Sequence, residues 1–196
     1  MGVFDAEDAE PFDLEDDDDI EVDDDDDFDY DDDLEDASED DVDLVVAAYR
    51  EDGEPVVVPL DFELANDLDE LISQLSRLPG DSGADGFVSV AGDFFVIVRA
   101  RGRTVEVLLS DATAATEWPI ARDVLDYLGE DIPDDDEEES YPVGDLEMFA
   151  PSGLRALELE AIATDYDQDS FDSLELIAKK LKIGDQFNAA AASFDD

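Results

Sequence analysis

The chain contains no histidine and no cysteine. Zinc hydrolases and zinc deaminases need a cluster of those residues around the metal, so that chemistry is excluded. Triads with a histidine base and thiol nucleophiles are excluded for the same reason. No disulfide can form, which fits a cytoplasmic protein. Basic residues are scarce as well: 10 Lys and Arg stand against 62 Asp and Glu, a formal net charge of -52. Affinity for nucleic acid comes from Lys and Arg neutralising phosphates, so direct binding to nucleic acid or to an anionic membrane is not expected. No apolar run approaches the ~20 residues of a membrane-spanning helix. Met1 is followed by acid, not by the basic and then apolar stretches of a secretory signal. Neither a phosphate-binding loop nor a nucleophile elbow is present.

What the chain has in excess is acid, unevenly placed. Residues 1–41 hold 25 acidic residues and no basic one. A halophile would spread its carboxylates over a folded surface. Clustering points instead to a disordered acidic tail joined to a more ordinary domain, since runs such as Asp16–Asp19 and Asp23–Asp27 repel themselves and bury nothing. Phe4, Phe12, Ile20, Phe28 and Tyr30 interrupt the runs. Such a segment can solubilise, or it can dock on a basic partner.

From residue 42 the pattern changes. Residues 43–50 and 54–60 are apolar runs around Glu51-Asp52-Gly53, a hairpin signal, and Pro55 and Pro59 mark the second run as an edge strand. Leu64, Leu68, Leu71, Ile72, Leu75 and Leu78 keep helical spacing up to Pro79-Gly80. Strands are expected at 87–91, 94–101 and 104–109, joined by Gly92-Asp93 and Gly102-Arg103. A second helix is expected at 119–128, between Pro119 and Gly129. Further helices follow, with apolar faces Leu154, Leu157, Ala161, Ile162, then Leu174, Ile177, Ala178, Leu181, then Phe187, Ala190, Ala191, Phe194. The middle one of these, near 173–183, has Asp172 as its expected cap, with Glu175 as the reciprocal partner and Gly184 closing it.

The order ββαβββα implies an α+β fold: a mostly antiparallel sheet with helices on one face and a C-terminal helical segment. The expected organisation is an acidic tail over 1–41, an α+β core over 42–129, an acidic linker over 130–142, and a helical segment over 143–196 packed on the core.

Candidate sites are few. Asp165, Asp167 and Asp169 imitate the start of a calcium loop, but the positions that need Gly, an apolar residue and Glu hold Ser170, Asp172 and Leu176, so no metal site is expected. Arg99, Arg101 and Arg103 are the densest basic cluster, either a solvated hairpin or a contact for an anionic group. Ser110, Asp111 and Thr113 stand before the second helix, where Asp111 can serve as a cap. Trp118, the single tryptophan, packs where helix meets sheet or anchors an interface. These seven are the partner-binding candidates. No catalytic residue and no cofactor is expected.

Several stretches carry a family resemblance: Asp93-Phe94-Phe95-Val96-Ile97-Val98-Arg99, Val107-Leu108-Leu109-Ser110-Asp111-Ala112-Thr113-Ala114-Ala115, Trp118-Pro119-Ile120-Ala121, Pro142-Val143-Gly144-Asp145-Leu146, Ile177-Ala178-Lys179-Lys180-Leu181 and Gly184-Asp185-Gln186-Phe187. Over about residues 43–190 the chain resembles the tRNA adenosine deaminase-associated protein family of actinobacteria. The resemblance implies association with that deaminase and supplies no catalytic residue. A deaminase that binds tRNA must present a basic surface, which an acidic neighbour can meet. The expected function is therefore that of a non-catalytic accessory protein docking through acidic surface. The alternatives are a carboxylate- and Mg²⁺-dependent cytoplasmic enzyme and a polyanion that mimics nucleic acid.

Overall fold

Short β-branched runs separated by glycine-containing turns pair with their neighbours in sequence. β1 (Val42–Glu51) and β2 (Glu54–Pro59) form one hairpin, and β3 (Ala84–Val90), β4 (Phe94–Arg101) and β5 (Thr104–Leu109) form a meander. The computed structural model describes residues 34–80, 82–134 and 136–194. Of the tail expected over 1–41, residues 1–33 lie outside them. Among the described residues the sheet has six strands in the order β2-β1-β3-β4-β5-β6, every pair antiparallel. β2 is the edge strand that its two prolines imply.

The opposite edge, β6 (Val143–Gly144), has no counterpart in the strands read from sequence. Two residues carry no periodicity. Gly144 makes the pairing fit: its φ is +119°, and a Cβ there would lie 2.1 Å from the carbonyl oxygen of Val107. β3 also begins three residues earlier than expected, because Gly86 resembles a breaker. Its actual role is to admit α1 (Leu68–Ser76), since a Cβ on Gly86 would stand 3.0 Å from Leu75 Cδ1.

Helices cover both faces of the sheet, not one. Along β4, Phe94, Val96, Val98 and Ala100 join the core under α1 and α2 (Pro119–Leu128). Phe95 and Ile97 join the core under α3 (Ala156–Ala163), α4 (Ser170–Lys180) and α5 (Gly184–Ala191). A strand buried on both sides loses its polar alternation, and Phe94–Val98 is apolar at every position. That run was the available sign of a three-layer arrangement. The second core centres on Phe87, which stacks on Phe149 at 6.3 Å and meets Phe187 edge-on at 6.0 Å.

Local chemistry sets the helix ends. The first apolar face divides: a 3-10 turn, Phe62–Asn66, precedes α1, whose cap Asp67 accepts from Glu70 N at 3.0 Å. α2 begins with Pro119 at its first turn and ends at Gly129 with φ +75°. In α3 the buried face is Leu159, Ile162 and Ala163, while Leu157 is 79% exposed. The expected face failed because Leu154 precedes the helix and shifts the count. In α4 the cap is Asp169, which accepts from Phe171 N at 2.8 Å, and Asp172 lies inside the first turn. Ser170 starts the helix earlier because it is buried against Ser89, Oγ to Oγ 2.6 Å. The last turn of α4 closes with Lys182 in the left-handed region, φ +66°, and Gly184 opens α5 instead.

The described chain is already packed before Val42. Ala37 is buried and clasps Asn66: its N–H donates to Oδ1 at 2.7 Å, and its carbonyl accepts from Nδ2 at 3.0 Å.

Candidate functional site

β1 runs between two clefts of opposite character. From Asp43 to Arg50 the strand covers about 24 Å at ~3.4 Å per residue.

At its C-terminal end a cleft of about 340 Å³ is lined by Tyr49, Arg50, Asp85, Arg99, Phe149 and Lys182, among others. A second cleft shares Ser82 and Gly83 with it and adds Arg101. Together they gather four of the chain's ten basic residues and one acid, Asp85. The strands explain how. Ala48, Asp85, Arg99 and Glu106 are register partners across β1, β3, β4 and β5, so Arg99 comes up beside Asp85 at the open end of the sheet.

Arg99 is 6% exposed. Its Nη1 donates to the Met148 carbonyl, and its guanidinium lies 5.3 Å from the centre of the Phe149 ring. Its Nε stands 3.5 Å from Asp85 Oδ1 and has no hydrogen-bond partner among the described residues. Burial pushes the Asp85 carboxyl up to about 7, with Arg101 pulling it down and Glu106 pushing it further up. The Arg99 contact acts in the same sense as Arg101 and favours the carboxylate, and the balance leaves Asp85 titrating near neutral pH. Arg50 and Lys182 are exposed at this end.

At the N-terminal end of β1 lies a groove of about 830 Å³. Glu39, Asp40, Asp43, Asp61, Asp169 and Asp172 line it, with no lysine or arginine among the described lining residues. Phe62, Phe171 and Phe194 supply apolar surface between the carboxylates. Asp43 ties the end of the sheet together, its Oδ2 accepting from Ser89 Oγ and from Gly92 N, both at 2.8 Å. Gly92 suits this turn, with φ +70°, where a side chain is strained, and a Cβ there would displace the Asp169 carboxylate, 2.7 Å away.

The seven residues singled out from sequence do not form one site. Arg101 and Arg103 are exposed near the β4–β5 turn, as a solvated hairpin would have them, but Arg99 is buried. Ser110 is 3% exposed and structural: its Oγ accepts from Phe95 N at 2.9 Å, and its carbonyl accepts from the Tyr166 hydroxyl at 2.8 Å. Asp111 caps the 3-10 turn Ala112–Thr116, accepting from Thr113 N at 2.9 Å and Thr113 Oγ1 at 2.7 Å. Its other oxygen takes Ser140 Oγ at 2.7 Å. Trp118 is half-buried on the first core, its ring 6.3 Å from that of Phe94. The length of β5 separates Arg103 from Ser110.

Sequence reasoning missed Arg50 and Lys182. In sequence Lys182 stands beside Lys179 and Lys180 near a helix end, where cations suit the helix dipole, and Arg50 stands alone at a strand end, so neither marks a site. Among the described residues no three Asp or Glu side chains gather to hold a metal ion. The Asp165–Asp169 segment serves as a turn that caps α4 and places Tyr166 on Ser110. No helix among the described residues is long and apolar enough to cross a membrane.

A six-stranded antiparallel sheet between two helical layers, with basic and acidic clefts at opposite ends, defines a three-layer α+β protein. Within that class, residues 43–184 match the family model described as Rv3753c-like tRNA adenosine deaminase-associated protein, and the chain belongs to that family. Protein Rv3753c of Mycobacterium tuberculosis is 34% identical over 146 residues, which is 74% of this chain and 84% of that relative. No solved structure matches the chain.

Proposed function

We propose that this protein is a non-catalytic partner of tRNA adenosine deaminase that docks through its acidic groove. The observation that carries the reading is the lining of that groove, six carboxylates around three phenylalanines. Interfaces draw affinity from a desolvated apolar centre and take orientation and encounter rate from complementary charge. A deaminase that acts on tRNA has the matching surface, because its substrate site must carry Lys and Arg to hold phosphates. The family description supports the choice of partner. Docking of this kind covers the tRNA-binding surface and makes the partner and tRNA competitors.

The test is a titration of full-length protein against purified tRNA adenosine deaminase, with and without tRNA. A 1:1 complex that weakens with salt and is displaced by tRNA is expected. Reversing Asp40 and Asp172 together to lysine is expected to weaken it at least about tenfold, the scale of lost charge complementarity. Undiminished binding by that variant would remove the groove from the reading, and no binding at low salt would remove the partnership. A chain beginning at Leu34 separates the groove from the acidic residues before it, since Ala37 belongs to the core.

A further inference from the structure

Lys182 occupies a backbone position that glycine or asparagine normally takes. The helix-closing bonds are in place, with Lys182 N–H donating to the Lys179 carbonyl at 3.0 Å and Ile183 N–H to the Ala178 carbonyl at 2.9 Å. A left-handed residue at such a closure is usually glycine, because a Cβ there is strained. Asp52 and Ala91 take the same region in tight turns between strands, but of the three it is Lys182 that stands at a cleft, where a strained backbone can hold a side chain toward a ligand. Across the same cleft stands Arg50, and on its wall the buried Arg99, whose Nε donor is unfilled. In a chain of net charge -52 this convergence is against the overall bias.

We propose that the cleft binds the phosphate group of a small phosphate monoester, held by Arg50 and Lys182 at the mouth and by Arg99 on the wall. Charge selects the ligand. With Asp85 ionised, three cations less its carboxylate leave two positive charges, the match for a dianionic monoester and not for a single carboxylate. Space agrees, since about 340 Å³ lies at the small end of ligand pockets and takes a mononucleotide-sized molecule, not a nucleic acid strand. Asp85 keeps Arg99 oriented while the cleft is empty, its carboxylate beside Nε. This site is at the opposite end of β1 from the acidic groove, so it does not rest on the docking reading.

The test is calorimetric titration of the full chain with inorganic phosphate and with adenosine 5′-monophosphate, using acetate at matched ionic strength as control. Saturable binding of both phosphates and none of acetate is expected, with the monophosphate at least as tight as free phosphate. Arg50→Ala and Lys182→Gly are each expected to weaken binding about tenfold, the scale of one charge-assisted hydrogen bond. Lys182→Gly separates binding from folding, because glycine relieves the backbone and the variant is expected to melt higher while it binds worse. No saturable binding to wild type, or wild-type affinity in both variants, would overturn the proposal. Binding of free phosphate with the monophosphate excluded would overturn the monoester assignment.

Discussion

The two ends of β1 treat charge in opposite ways. At the acidic end the carboxylates have structural work: Asp43, Asp61 and Asp169 each accept a backbone N–H, from Gly92, Glu63 and Phe171. Turn and helix starts leave such donors free, so a fold can absorb many carboxylates there. At the basic end cations find fewer such partners: among the described residues there, Arg99 and Arg50 donate to the turn carbonyls of Met148 and Gly53. An acid cluster in this chain therefore carries information where apolar side chains stand among the carboxylates, as Phe62, Phe171 and Phe194 do, whereas four bases drawn together carry it by themselves.

The largest way to break the contrast is at Arg99. Arg99→Leu leaves Asp85 half-buried without its cation and is expected to destabilise by about 3–5 kcal/mol in urea denaturation. A loss below 1 kcal/mol would mean that the basic end is a solvated surface. At the other end, Asp43→Ala strands the Gly92 N–H and leaves the buried Ser89 hydroxyl with Ser170 alone, with an expected loss of about 1–3 kcal/mol by the same measurement.

The pH dependence sharpens the comparison. Asp85 titrates higher in the folded chain, about 7, than the roughly 3.9 of an unfolded aspartate. The folded state then binds the proton more tightly, so the contribution of Asp85 is most favourable below about pH 4 and falls as pH rises toward 7. Measured against Asp85→Asn, wild-type stability is expected to decline by up to about 1.4 kcal/mol per pH unit across that window. A flat difference would show that Arg99 holds the carboxyl at its ordinary value. The smallest effect is a gain: Lys182→Gly is expected to add about 1 kcal/mol by removing a strained left-handed residue, read as a higher melting temperature.

Much of the sheet was legible. β4 and β5 have the predicted bounds, because the turns Gly92-Asp93 and Gly102-Arg103 punctuate runs rich in β-branched and aromatic residues. The α+β class and the Pro-marked edge followed from similar signals. The second helical layer is marked by Phe94–Val98, where apolarity at every position signals a strand covered on both faces, but a run of that length signals a strand just as well without saying what covers it. The start of α4 was not legible: Asp169 and Asp172 both fit a cap, and the Ser89–Ser170 contact that decides between them spans 81 residues. The basic cleft was hidden for the same reason. Arg50, Arg99 and Lys182 are far apart in sequence, and only the sheet register with the end of α4 brings them together.

The two-residue length of β6 has its own consequence. It pairs only with Leu108 and Leu109, so the outer side of β5 from Thr104 to Glu106 carries no strand. Such an edge invites fusion with another copy into extended aggregates. Here Glu106 sits on it with Asp145 close enough to push its carboxyl up, burial being the larger cause. Like charges from a second copy would meet at that edge, and at the other the prolines of β2 withhold donors. The protein is thereby guarded at both margins of its sheet, and high concentration or partial unfolding is expected to leave it soluble where an unguarded sheet would polymerise.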